Sequence, residues 1–113
     1  MQPKSLGKIA VTTPGTPVAL TTDPTIFASR VRIRTVIGEA GRIWLGTSGM
    51  NKTTHAGILK QFWPTGAAGA ASAVPADSWE LNESVGDNTI QLSSLFLDAA
   101  VAGEGAIVEY WVS

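Results

Sequence analysis

The chain has 113 residues, 44% apolar and 15% charged, with eight Lys and Arg against nine Asp and Glu for a net charge of −1. That length suits one domain without covalent staples, and the lack of cysteine excludes disulfides, thiolate metal sites and cysteine nucleophiles. The near-neutral balance supplies no overall field, so neither nucleic acid nor a membrane surface is expected as a partner, while a surface this poor in charge suggests cover by another protein.

After a polar lead, residues 6–13 place Ile9 and Val11 on alternating positions and predict a first strand, broken at Pro14 and Gly15. Val18-Ala19-Leu20 predicts a short extended run, and the prolines on either side of it fit a sheet edge. Residues 1–23, rich in Pro and Thr, are expected to form an extended N-terminal arm that could lie along a neighbour, with a single β-sandwich domain over 24–113. The most regular period-two segment is 30–37, where Val31, Ile33 and Thr35 share one face and Arg30, Arg32 and Arg34 the other. Glycines at 38 and 41 predict a hairpin turn into a return strand over 42–46, in which Trp44 lies opposite Ile43 and Leu45.

Residues 47–56 are Ser, Thr, Asn and Gly around the only histidine, His55, and predict a surface loop. An apolar run follows at 58–63, then an Ala/Gly/Ser tract at 66–73 expected as loop. Strands are predicted over 78–82 and 89–92 around a turn at 86–88. The end of the chain reads as a closing hairpin: the apolar run 95–97, the turn Gly103-Glu104-Gly105, and a strand over 106–112. On that strand Val108, Tyr110 and Val112 share one face while Ile107, Glu109 and Trp111 share the other, so it should be central in a sandwich or covered by a subunit. Seven to nine short strands with Gly, Pro and Asn punctuation and no long amphipathic helix predict an all-β fold, a compact antiparallel β-sandwich or jelly-roll-like domain. No run approaches the ~20 apolar residues of a membrane span, and the first residues lack an apolar signal core, so export is not expected. The Asn-x-Ser/Thr matches at Asn51 and Asn82 are then coincidence in polar loops.

Few residues offer chemistry. His55 could serve as a general base, but no nucleophile motif accompanies it, and the solvated-loop reading weighs more. Asp98 and Glu104 flank the final turn and fit turn-forming roles better than an acid/base pair. Arg30, Arg32 and Arg34 could bind phosphate or an acidic protein surface, or else pair across the sheet with Glu80 or Glu109. Trp44, Trp63, Trp79 and Trp111 are many for so short a chain; Trp44 and Trp111 are interface candidates with Ile107, against an even alternative of core packing. No metal or other cofactor is expected.

The succession Val31-Arg32-Ile33-Arg34, Gly41-Arg42-Ile43-Trp44-Leu45-Gly46, Trp79-Glu80-Leu81 and Thr89-Ile90-Gln91-Leu92 resembles small virion proteins of tailed bacteriophages. The ending, Leu95-Phe96-Leu97-Asp98-Ala99 and then Ala102-Gly103-Glu104-Gly105-Ala106-Ile107-Val108-Glu109-Tyr110-Trp111, is similar to the terminal part of phage head decoration (cement) proteins. The resemblance covers residues 31–112; the tract at 66–73 fits no part of its pattern. It implies a non-enzymatic capsid decoration protein that assembles with itself, a homotrimer being favoured, and binds the major capsid protein. Its place would be the outer surface of the virion, reached from the host cytoplasm during assembly. The alternative is a carbohydrate- or receptor-binding module of a phage tail or head fibre that uses exposed tryptophans as sugar platforms.

Overall fold

Alternating apolar and polar residues form most of the strands in the structure, a computed structural model that describes residues 2–36, 40–63, 78–82 and 88–112. In chain order they are Gln2–Ala10 (β1), Val18–Ala19 (β2), Phe27–Ala28 (β3), Arg30–Thr35 (β4), Ile43–Gly46 (β5), Ile58–Phe62 (β6), Ser78–Asn82 (β7), Ile90–Gln91 (β8), Phe96–Ala99 (β9) and Gly105–Val112 (β10). One 3₁₀ turn, Leu92–Ser94, joins β8 to β9. The tract at 66–73 and parts of the turns expected at 38–41 and 86–88 lie outside the described residues.

Two four-stranded antiparallel sheets, β1-β10-β4-β7 and β2-β9-β5-β6, and a small β3-β8 pair enclose one core. The pairing is nested: β1 with β10, β2 with β9, β3 with β8, β4 with β7 and β5 with β6. The chain is thus one long antiparallel hairpin, folded at the loop between β5 and β6 and rolled until β10 meets β4 and β9 meets β5. This is the jelly-roll form of the β-sandwich, with the nine-residue β1 left at the edge of its sheet.

Nesting overturns both expected hairpins. β4 and β5 belong to opposite sheets, as do β9 and β10, so the glycine-marked turns between them carry the chain across the sandwich. The physical cue is burial: Ile43 to Gly46 are buried at every position, as are Leu97, Asp98 and Ala99, which a hairpin with one open face would not give. Glu104 ties the two crossings together. Its carboxylate accepts the backbone N–H of Ala40 at 2.6 Å and that of Gly41 at 2.8 Å.

The expected arm supplies β1, which pairs with β10 of the same chain from Gln2↔Val112 to Ala10↔Gly105. A bulge between Ser5 and Gly7, with Gly7 at φ 71°, turns both Leu6 and Ile9 toward the core although three positions separate them. At the far end of this ladder β1 lies so close to β10 that a Cβ on Gly105 would run into the Ile9 carbonyl oxygen. Val18–Ala19 is an edge strand, as its flanking prolines predicted, and the pair β3-β8 was not foreseen.

The core comes from the inward positions of both sheets: Val31 and Ile33 of β4 and Val108 and Tyr110 of β10 face Ile43 and Leu45 of β5, Phe62 of β6 and Leu97 of β9. Burying side chains of this size contributes roughly 1.5–3 kcal/mol each before entropy is counted.

Candidate interaction surface

The alternation that buries Val31, Ile33 and Thr35 aims Arg30, Arg32 and Arg34 outward, and register with the neighbouring strands turns them into a grid. Across β1, β10, β4 and β7 the first row is Pro3, Trp111, Arg30 and Asn82. The second is Ser5, Glu109, Arg32 and Glu80, and the third is Lys8, Ile107, Arg34 and Ser78. Four cations and two carboxylates occupy these twelve positions, so the face carries 4 − 2 = +2 in a chain of net −1.

The cross-strand partners considered for the arginines are the ones they take. Glu109 accepts from Arg32 Nη2 at 3.0 Å and from Arg34 Nε at 2.8 Å, and Glu80 accepts from Arg30 Nη2 at 2.7 Å along the diagonal. Arg30 lies over the Trp111 ring, its Cζ 4.5 Å from the centroid, and Arg32 approaches the same ring at 5.6 Å. Stacking there leaves Arg30 Nε buried without an acceptor. At partly exposed sites a cation–π contact is worth about 0.5–1 kcal/mol and an ion pair about the same or less, so the grid orders the side chains more than it stabilises the fold.

The arginines set the carboxylate acidities. Burial pushes the Glu109 pKa up, but hydrogen bonds from Arg34 and Arg32 and their charges outweigh it and hold the group below the ordinary glutamate value. The hydrogen bond from Arg30 lowers Glu80 in the same direction. Both stay ionised at neutral pH, which keeps the guanidinium groups in place.

Of the six expected interface residues, Arg30, Arg32, Arg34, Ile107 and Trp111 come together on this face; Trp44 does not. It lies on the other sheet at 7% exposure, with Lys52 Nζ 5.5 Å from its ring and its indole N–H donating to Gln61 Oε1 at 3.3 Å. Lys52 of the loop predicted over 47–56 as a surface loop supplies part of that cover, so Trp44 is buried within the chain. Lys8 is the residue that sequence reading missed. It joins the grid only because the β1 bulge resets the register.

The catalytic candidates are scattered. His55 sits in the 47–57 loop at φ 64°, with its backbone N–H donating to the Asn51 carbonyl at 2.7 Å. Asp98 Oδ1 accepts the backbone N–H groups of Gly15 at 3.0 Å and of Ala99 at 2.8 Å, so Asp98 and Glu104 both serve as loop anchors. Among the described residues no group of three or more His, Asp or Glu is placed to hold a metal ion. Exposed apolar side chains stand elsewhere: Trp63, just past the edge strand β6, is 60% exposed with the Arg42 guanidinium 4.3 Å from its ring centroid, and Leu59 of β6 is 48% exposed.

Compared with protein-family models, curated proteins and solved structures, the chain matches none.

Proposed function

We propose that this chain is a non-enzymatic virion protein of a tailed bacteriophage. It decorates and stabilises the head by binding the major capsid protein lattice from the outer surface as a homo-oligomer, the trimer being the favoured form. The observation that carries this reading is the grid on the β1-β10-β4-β7 sheet: a broad, net-positive face whose arginines are already held by Glu80, Glu109 and Trp111. Side chains ordered in advance lose little entropy on docking, and a positive patch on a near-neutral chain selects an acidic partner surface. The jelly roll is also a form that viral capsid domains use, which supports the reading by analogy of fold alone. The alternative, a carbohydrate- or receptor-binding module, retains Trp63 as an exposed ring but loses Trp44 to burial.

Co-sedimentation with expanded phage heads that lack their decoration protein tests the proposal. Wild type should pellet with the heads, and the triple variant Arg30→Glu/Arg32→Glu/Arg34→Glu should bind at least tenfold more weakly, with wild-type binding itself weakened by added salt. Light scattering in parallel reads the oligomer. A strict monomer that leaves the heads bare, or a triple variant that binds as tightly as wild type, overturns the reading.

A further inference from the structure

The three arginines of β4 do not offer a partner the same groups. Arg30 donates from Nη2 to Glu80, lies over the Trp111 ring and has its Nε buried. Arg32 meets Glu109 side-on, through Nε at 3.2 Å and Nη2 at 3.0 Å, which leaves Nη1 alone. Arg34 spends only Nε, on Glu109 Oε1 at 2.8 Å, and neither of its terminal nitrogens makes a hydrogen bond among the described residues. It is also the most exposed of the three, 46% against 36% for Arg30 and 35% for Arg32.

A guanidinium anchored at Nε with Nη1 and Nη2 open is an end-on fork. Its two outward N–H groups run parallel and match the two oxygens of one carboxylate. The anchor to Glu109 has already restricted the side chain, so docking costs it less rotamer entropy. Its surroundings favour a carboxylate over a phosphate. Arg32 and Arg34 against the Glu109 they share leave 2 − 1 = +1 at this point of the face, which balances one carboxylate and leaves a phosphate dianion half compensated. Directly across on β10 stands the half-buried Ile107, an apolar neighbour suited to the methylene stem of an acidic side chain.

We propose that Arg34 is the residue through which this face reads its partner: the Nη1/Nη2 fork takes one Asp or Glu side chain of the capsid surface as a bidentate pair. The inference rests on the proposed docking of this sheet to an acidic protein surface and names the group that makes the contact. Arg30 and Arg32, whose donors are largely spent within the chain, contribute mainly charge.

Two measurements test it. In co-sedimentation with the same phage heads, Arg34→Lys keeps the charge but removes the fork and should bind at least fivefold more weakly than wild type, whereas Arg30→Lys should lose about twofold. Binding of Arg34→Lys as tight as wild type, or an equal loss in Arg30→Lys, overturns the inference while leaving the capsid reading in place. The second measurement needs no heads: the arginine Nε–Hε resonances of the wild-type protein are followed while sodium acetate replaces sodium chloride at constant ionic strength. Arg34 should shift, and by more than Arg30 or Arg32. An Arg34 resonance that stays still, or that moves further in inorganic phosphate than in acetate, overturns the carboxylate site. If Arg34 responds to acetate and the heads stay bare, the capsid reading falls and the fork stands as a carboxylate site for another protein surface.

Discussion

The outer face of the β1-β10-β4-β7 sheet is tiled by the sheet's own side chains, with Arg30 on Trp111 and Arg32 and Arg34 on Glu109. The outer face of the β2-β9-β5-β6 sheet is roofed by loops: Lys52 lies over Trp44, and the Asp98 carboxylate is tied to the turn at Gly15. Strand length separates the two. β1 and β10 run nine and eight residues and can hold register through cross-strand pairs, whereas β2 has two residues and β5 and β9 four each, too few to build a comparable grid. Long strands therefore give a presentable face, and short strands give a sheet that depends on what covers it.

The sharpest way to break the first sheet is at its closest backbone approach. A Cβ at Gly105 would collide with the Ile9 carbonyl oxygen, and since both atoms belong to paired backbone neither can step aside without opening the β1–β10 ladder. Gly105→Ala should cost about 3 kcal/mol, read as a lowered midpoint in urea unfolding, and should release the amides of residues 2–10 to fast hydrogen exchange. If those amides stayed protected at unchanged stability, β1 would not depend on this junction.

The second sheet should break at its roof. Asp98→Ala strips the acceptor from the N–H groups of Gly15 and Ala99 and should cost about 2 kcal/mol by the same measurement, the usual effect of leaving buried donors without a charged acceptor. The damage should stay local to 12–16 and 50–53, leaving amide shifts of β4 and β10 in place. A variant that perturbs both sheets equally would mean that the roof and the grid are one cooperative unit.

How much of this was readable beforehand follows the same division. The arginine grid was legible because period-two alternation over 30–35 and 106–112 determines which side chains share a face, and Glu80 and Glu109 were the acids within reach of it. The sheet-to-sheet crossings were not. Glycine-rich turns mark a change of direction equally well for a hairpin and for a crossing, and only partners far away in sequence, β1 for β10 and β9 for β5, decide which it is. Trp44 was misplaced for a related reason. Alternation correctly set it opposite Ile43 and Leu45, yet an alternating strand says nothing about a loop folding back over its outer face, and the Ser/Thr/Asn composition of 47–57 suggested solvent instead of cover. The surroundings of Asp98 combine both blind spots, since a turn at residue 15 and a loop at residue 52 meet the strand that carries it.

The smallest effect concerns the tiles themselves and depends on pH. In the folded chain Glu109 titrates below its ordinary value, so it binds protons less readily than in the unfolded chain. Its contribution is therefore complete above the ordinary glutamate pKa of about 4.3 and is lost as the pH falls below that, through the lowered folded value. The carboxylate is 22% exposed, so the pairs with Arg32 and Arg34 are worth about 0.5–1 kcal/mol at neutral pH and less in high salt. Glu109→Gln should remove that amount at pH 7 and nothing at a pH where wild-type Glu109 is already protonated, so the unfolding midpoints of the two proteins should converge on acidification. The Arg32 and Arg34 side-chain resonances should lose their dispersion over the same range, because the acid that holds them has gone. Equal stability of the two proteins at pH 7 would leave the grid as an arrangement of surface charges without internal order, and the entropic advantage assigned to that face in docking would fall with it.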